Sequence, residues 1–272
     1  MGVLGVAVAT LIAQAISSVL VTIALLHSSD LCDFSLREIR IDWDTLKTQL
    51  YIGFPGGIQS SMYALSNLIL QTSVNSLGTD AAAAWTAIAK MDAIYWMIGG
   101  SLGTAITTFV GQNYGAGKMN RVKKTYKIVL IFTLIIGIVS TLIFQLCPQV
   151  IINIFGSGNE LYQEFARKTF KIYLSLMTVT CLVKMTAVFF QSIGKSLYAV
   201  IASLIRDIVC FIPFSILFSL ILESKNTGSG INGILYAAPI SDFISIFVIL
   251  TLTISFFKKV KNEEIDKDKV FK

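Results

Sequence analysis

Six ionisable residues interrupt long apolar stretches of this chain: Lys90, Asp92, Lys184, Arg206, Asp207 and Asp242. A charge inside a hydrocarbon layer is costly, so each residue of this kind is either paired or at work. Asp92, Asp207 and Asp242 have the chemistry to hold a cation, exchange a proton or attract a positively charged ligand. The competing expectation is an interhelical ion pair that fixes packing, with Lys184 and Asp207 the natural couple and Arg206 a structural partner. A second polar feature lies upstream. Ser60, Tyr63, Asn67 and Gln71 recur at steps of three and four, which places them on one helical face, with Gln59 beside them. Such a stripe faces either a cavity or a neighbouring helix. Pro55, Gly56 and Gly57, just before it, suit a hinge or close packing.

The stretch GQNYGAGK, residues 111–118, invites a phosphate-loop reading. It fails on spacing, since five residues separate Gly111 from Gly117. It fails on chemistry, since Met119 stands where Ser or Thr is needed, and an apolar helix rather than a strand precedes it. Its residues suit a helix end instead. Gly115 and Gly117 can take positive φ, and Gln112 and Asn113 can bond carbonyls without helical partners.

The elements that position these groups follow from composition. The chain is 54% hydrophobic and 14% charged, with a mean hydropathy of +0.73. Seven segments are long and apolar enough to cross a bilayer: roughly 3–26, 50–75, 82–112, 125–147, 168–193, 197–222 and 231–257. A span needs about 20 residues to cross about 30 Å of hydrocarbon. Each must be helical, because lipid offers no hydrogen-bond partners. The expectation is an all-α polytopic membrane protein of seven transmembrane helices. Counting inward places Asp92, Arg206, Asp207 and Asp242 about 15 Å deep, near the midplane.

The net charge of +6 is sorted by loop, which argues for a membrane and against nucleic acid. Connections 27–48, 113–127, 194–196 and the tail 258–272 hold 15 of the 22 Lys and Arg, and the opposite connections hold three. This split predicts a cytoplasmic C-terminus and an outside N-terminus. The four cysteines are scattered, and the single His27 cannot make a metal site. The first segment has no basic n-region and reads as a span rather than a signal peptide.

The chain also repeats itself. Gly2, Gly5, Ala9, Ile12, Ile16 and Ser17 align with Gly230, Gly233, Ala237, Ile240, Ile244 and Ser245 at an offset of 228 residues. A six-helix unit of that length is implied, preceded by the last helix of an earlier unit. The expected organisation is 1–48 as that last helix and a linker, 49–257 as a six-helix lobe and 258–272 as a charged cytoplasmic tail. An amino-terminal lobe is the missing partner.

The run IGFPGGIQSSMYALSNLIL through VGQNYGAGKMNRVKK, together with FFQSIGKSLYAVIASLIRD, resembles the multidrug and toxic compound extrusion (MATE) family. The resemblance covers essentially the whole chain and would make it helices six to twelve. It implies two six-helix bundles around a central cleft that exports organic cations against Na+ or H+, in the plasma membrane. It implies no cofactor beyond that coupling ion. A carboxylate that some sodium-coupled members carry eight residues after the proline is Tyr63 here, and a later one falls near Ser196. The substrate and ion pathway expected from the depth of the charges and from the polar stripe, not from the resemblance, comprises Asp92, Asp207, Asp242, Gln59, Tyr63, Asn67, Gln71, Lys184 and Arg206. The alternatives are a lipid-linked saccharide flippase of related plan, which would favour several cations in the cleft, and a seven-helix receptor, which needs no repeat. An enzyme is not expected, since no DDxxD motif, histidine cluster or Ser-His-Asp set is present.

Overall fold

The structure, a computed structural model, describes residues 2–27, 40–76, 78–155, 160–225 and 230–270. Cys32 and most of the basic connection after the first helix lie outside these residues. Every regular element among the described residues is helical: α1 (Gly2–His27), α2 (Trp43–Asn75), α3 (Thr79–Gly115), α4 (Met119–Leu146), α5 (Pro148–Phe155), α6 (Glu160–Ile172), α7 (Met177–Ser192), α8 (Ser196–Ser203), a π-helical segment Leu204–Phe211, α9 (Ile212–Lys225) and α10 (Gly230–Val270). The chain divides into two compact units, residues 1–49 and 50–272.

In the first unit, α1 is a single apolar helix whose 21 central residues average a hydropathy of 2.1. The start of α2 is capped by Asp42, which accepts hydrogen bonds from the Asp44 N–H at 3.3 Å and from the Thr45 hydroxyl. These bonds hold its carboxyl below the usual aspartate value, the Thr45 bond contributing most.

Among the described residues five helical stretches are long and apolar enough to cross a membrane, or six if α6 and α7 together form one bent span. Length and hydropathy alone therefore do not fix the count at seven. At 33 residues α2 is long enough, but its polar face keeps it below the mark. The expected span 168–193 is not continuous. α6 starts well before it, and the helix bends by 56° between Ile172 and Met177. There Tyr173 and Leu174 both direct their N–H groups to the Thr169 carbonyl, at 2.9 and 3.4 Å, and regular helical bonding lapses. The expected span 197–222 is continuous, but its middle is π-helical: the Ile212 N–H donates to the Asp207 carbonyl, a step of five residues.

Within the second unit α7 is central, burying Met177, Cys181, Val183, Met185, Phe189 and Phe190. Small residues let its neighbours approach, as is usual where helices associate in lipid. A Cβ built on Gly137 of α4 would lie 2.8 Å from the Thr178 Cα. At Gly233 of α10 it would lie 2.3 Å from the Phe218 carbonyl carbon of α9, so no side chain fits there.

The turns that close α3 and α7 share one geometry. Gly117 and Gly194 have φ of 71° and 74°, and the N–H of the lysine after each, Lys118 and Lys195, donates to a carbonyl five residues back at 2.9 Å. This is the left-handed glycine cap, which gives partners to carbonyls that the helix end would otherwise leave unpaired. Gly115 departs from expectation: it is the last residue of α3 and does not take positive φ. Asn113 bonds the Phe109 carbonyl at 2.8 Å, one inside α3 rather than one left without a helical partner.

Candidate functional site

Two polar groupings sit side by side in the second unit. The first is a cavity of about 510 Å³ between α2, α3, the bend after α6, and α7. Tyr63, Asn67 and Gln71 supply one wall, so the stripe on α2 lines a cavity. Trp85, Asp92 and Trp96 of α3 form the facing wall, with Tyr173 and Lys184 closing it. The α3 residues recur at steps of seven and four, so one helical face presents them all. Tyr173 reaches the cavity because it stands at the helix bend, where it meets Trp85 edge to face at 5.3 Å between ring centres. The Lys184 ammonium lies over two ring faces, 3.7 Å from the centre of Trp96 and 4.1 Å from that of Tyr63.

The second grouping is a buried charge lock. Arg206 donates from Nε to Asp242 Oδ1 and from Nη1 to Asp207 Oδ1, both at 2.5 Å. The second oxygen of Asp242 accepts from the Thr180 hydroxyl, also at 2.5 Å. Asp207 and Asp242 are each 3% exposed, so both carboxylates are withdrawn from solvent, while the Arg206 side chain is 13% exposed. One forked guanidinium suits this task, because its N–H groups point along two directions at once. A void of about 20 Å³, room for one water, lies between the lock and the cavity. Tyr63, Asp92, Trp96, Tyr173 and Lys184 border both spaces.

The expected couple Lys184–Asp207 is corrected by this geometry. Arg206 is the ion-pair partner of Asp207, and Lys184 stacks on aromatic rings instead. The reason is reach: Arg206 is the sequence neighbour of Asp207, and the π-helical turn keeps both beside α10. Gln59 lies outside the cavity. It donates to Ser203 Oγ at 2.7 Å and accepts from Gln191 Nε2 at 2.5 Å, tying α2 to α7 and α8. Ser60 turns back to the Gly56 carbonyl of its own helix at 3.1 Å, and Lys90 is exposed on α3. Among the described residues no three His, Cys, Asp or Glu side chains converge as a metal site.

Trp85, Trp96, Tyr173 and Thr180 are the site residues that sequence reasoning missed. Trp96 stands four residues after Asp92, and Trp85 seven before it, so the helical period that grouped the α2 stripe would have grouped these too.

Comparison with known proteins agrees with this architecture. Residues 55–217 match the family model described as MatE. The chain is 27% identical over 124 residues to the probable multidrug resistance protein YoeA of Bacillus subtilis, covering 46% of this chain and 27% of that protein. It is 26% identical over 165 residues to the probable multidrug resistance protein NorM of Thermotoga maritima, covering 60% of this chain and 35% of that one. Among solved structures it is similar to a MOP-superfamily transporter from Pyrococcus furiosus, with a TM-score of 0.82 at 20% identity, covering 96% of this chain and 57% of that one. A Vibrio cholerae MATE transporter gives a TM-score of 0.81 at 17% identity, covering 94% and 56%. At these identities the structures speak to fold alone. The chain spans about half the length, or less, of the relatives it matches. Since the family model covers more than half of this chain and the helical fold agrees, the chain is a multi-pass membrane protein that belongs to the MatE family of multidrug and toxic compound extrusion transporters.

Proposed function

We propose that this chain forms the carboxy-terminal wall of the cleft in a secondary exporter that moves small organic cations, drugs among them, in exchange for Na+ or H+. The observation that carries this reading is the cavity of about 510 Å³, a size suited to a drug-sized ligand. Tyr63, Trp85, Trp96 and Tyr173 give it aromatic surface, and Asp92 lines it while Asp207 and Asp242 are engaged by Arg206. Three carboxylates against Lys184 and Arg206 leave a formal excess of one negative charge. A single monovalent cation neutralises that excess, so substrate and coupling ion compete for one place, and competition of this kind is what exchange requires.

The other wall of the cleft is assigned to an amino-terminal six-helix lobe, in the same polypeptide or a separate one. Residues 49–257 act as the carboxy-terminal lobe and α1 as the last helix of the preceding one. Residues 258–272 extend into the cytoplasm, in keeping with the loop distribution of Lys and Arg. The multidrug-resistance names of the relatives do not favour the saccharide flippase.

The test is reconstitution in liposomes with an imposed Na+ or H+ gradient and an ethidium-like dye. Dye movement is expected only when an amino-terminal lobe from a close relative is co-expressed. Gradient-driven movement by this chain alone would overturn the shared-cleft assignment, and none with the lobe present would overturn the exporter reading.

A further inference from the structure

Lys184 is in an unusual place for a lysine ammonium. Its Nζ has three N–H donors that favour carboxylate or water, yet it lies over the faces of Tyr63 and Trp96. Two ring faces on one cation form an aromatic clamp, the arrangement by which proteins hold alkylated ammonium groups. The two rings come from different helices, α2 and α3, and border a cavity large enough for a ligand. Asp92 borders the same cavity one helical turn before Trp96 and offers the charge-assisted hydrogen bonds the rings cannot.

We propose that Lys184 is a built-in competitor for this clamp: its ammonium takes the place of a ligand's quaternary or alkylated ammonium, which enters only as Lys184 withdraws toward Asp92. This rests on the reading of the chain as a cation exporter and goes beyond it by naming the residue that sets selectivity. A quaternary ammonium has no N–H donor to satisfy, so it loses nothing by facing two rings. Lysine gains a carboxylate partner when it leaves. The exchange therefore favours alkylated over primary ammonium groups. It also keeps the clamp filled between ligands, so that small hydrated cations do not collect there.

The experiment measures equilibrium binding of tetraethylammonium to the full chain in lipid nanodiscs, without any gradient, by calorimetry and tryptophan fluorescence. Lys184→Met removes the competitor while keeping its bulk, and should tighten binding about ten-fold or more, the range expected for a desolvated cation over aromatic faces. Lys184→Arg, which keeps a stacking cation, should bind as weakly as the parent chain. Trp96→Leu added to Lys184→Met should remove the gain. In the unmodified chain, saturating tetraethylammonium should slow acetylation of Lys184, followed by mass spectrometry, because the displaced ammonium pairs with Asp92 and keeps its proton. That measurement decides the matter even where a variant fails to fold.

Unchanged affinity in Lys184→Met, a gain that survives Trp96→Leu, or faster or unaltered acetylation would each overturn the proposal. Dye export with unaltered Lys184→Met affinity would sink the clamp alone. Tight tetraethylammonium binding without gradient-driven export, with the amino-terminal lobe present, would sink the exporter reading alone.

Discussion

Replacing Arg206 with Met tests the charge lock most directly. The guanidinium serves Asp242 through Nε and Asp207 through Nη1, each at 2.5 Å, and both carboxylates are 3% exposed. Removing one partner of a buried ion pair costs roughly 3–5 kcal/mol, because the charge left behind has neither water nor a counter-ion. Here two carboxylates are left, so the upper half of that range is expected. For a chain of this size that is a fall in Tm of roughly 8–20 °C. Thermal melting in mild detergent, followed by intrinsic tryptophan fluorescence, reads it. Arg206→Lys should recover little, since a point charge on a flexible stem cannot fork to two carboxylates. Adding Asp207→Asn and Asp242→Asn to Arg206→Met should recover most of the loss by removing the uncompensated charge. If Arg206→Met melts within about 3 °C of the parent chain, or the triple variant is no more stable than the single one, the lock contributes little to stability and the reasoning is wrong.

Asp92→Asn is expected to abolish gradient-driven dye export by the assembled transporter without lowering its amount in the membrane; export at the parent rate would reduce Asp92 to a packing residue. In a cysteine-free background, an impermeant thiol reagent applied to intact cells should label a cysteine at Thr79 and spare one at Lys258, and the reverse pattern would invert the topology. Gly233→Leu should drive α9 from α10 and destabilise the chain by about 1–3 kcal/mol or more, since even a Cβ would lie 2.3 Å from backbone; a parent-like melting curve would contradict that close approach. Gly194→Val, at φ 74°, should cost roughly 1–2 kcal/mol through backbone strain, whereas Gly115→Ala at the end of α3 should be tolerated.

The helical architecture was legible because long apolar runs in lipid have one way to satisfy their backbone. The cavity wall on α2 was legible in part: Tyr63, Asn67 and Gln71 stood out as polar residues on an apolar helix, although spacing alone did not separate them from Ser60 and Gln59. The aromatic wall was hidden, because Trp85, Trp96 and Tyr173 are ordinary fillers of membrane helices until a charge is seen among them. The bend at 173–176 carries neither Pro nor Gly, so nothing in YLSL announces it. The pairing of Arg206 depends on how three helices are rotated about their axes, and depth counting carries no information about rotation. Hence Arg206, Asp207 and Asp242 were found at a common depth while Lys184 was given the wrong partner.

The π-helical segment Leu204–Phe211 has a consequence for how this chain tolerates change. Its wider turns hold more residues than the same length of α-helix would, so the orientation of Arg206 and Asp207 relative to α9 is a matter of counting. Deleting one exposed apolar residue there, Ile208 or Val209, would let the segment relax to an ordinary helix. The tighter turns would restore much of the rotation that the deletion removes, so the two flanks would keep roughly their mutual orientation while the residues within the segment are re-aimed. No charged side chain would have been altered, yet the face carrying Arg206 would no longer meet Asp242. The address of the charge lock is thus written in the reading of length as much as in residue identity. Single-codon deletions in this segment are expected to be far more damaging than any conservative apolar substitution at the same positions.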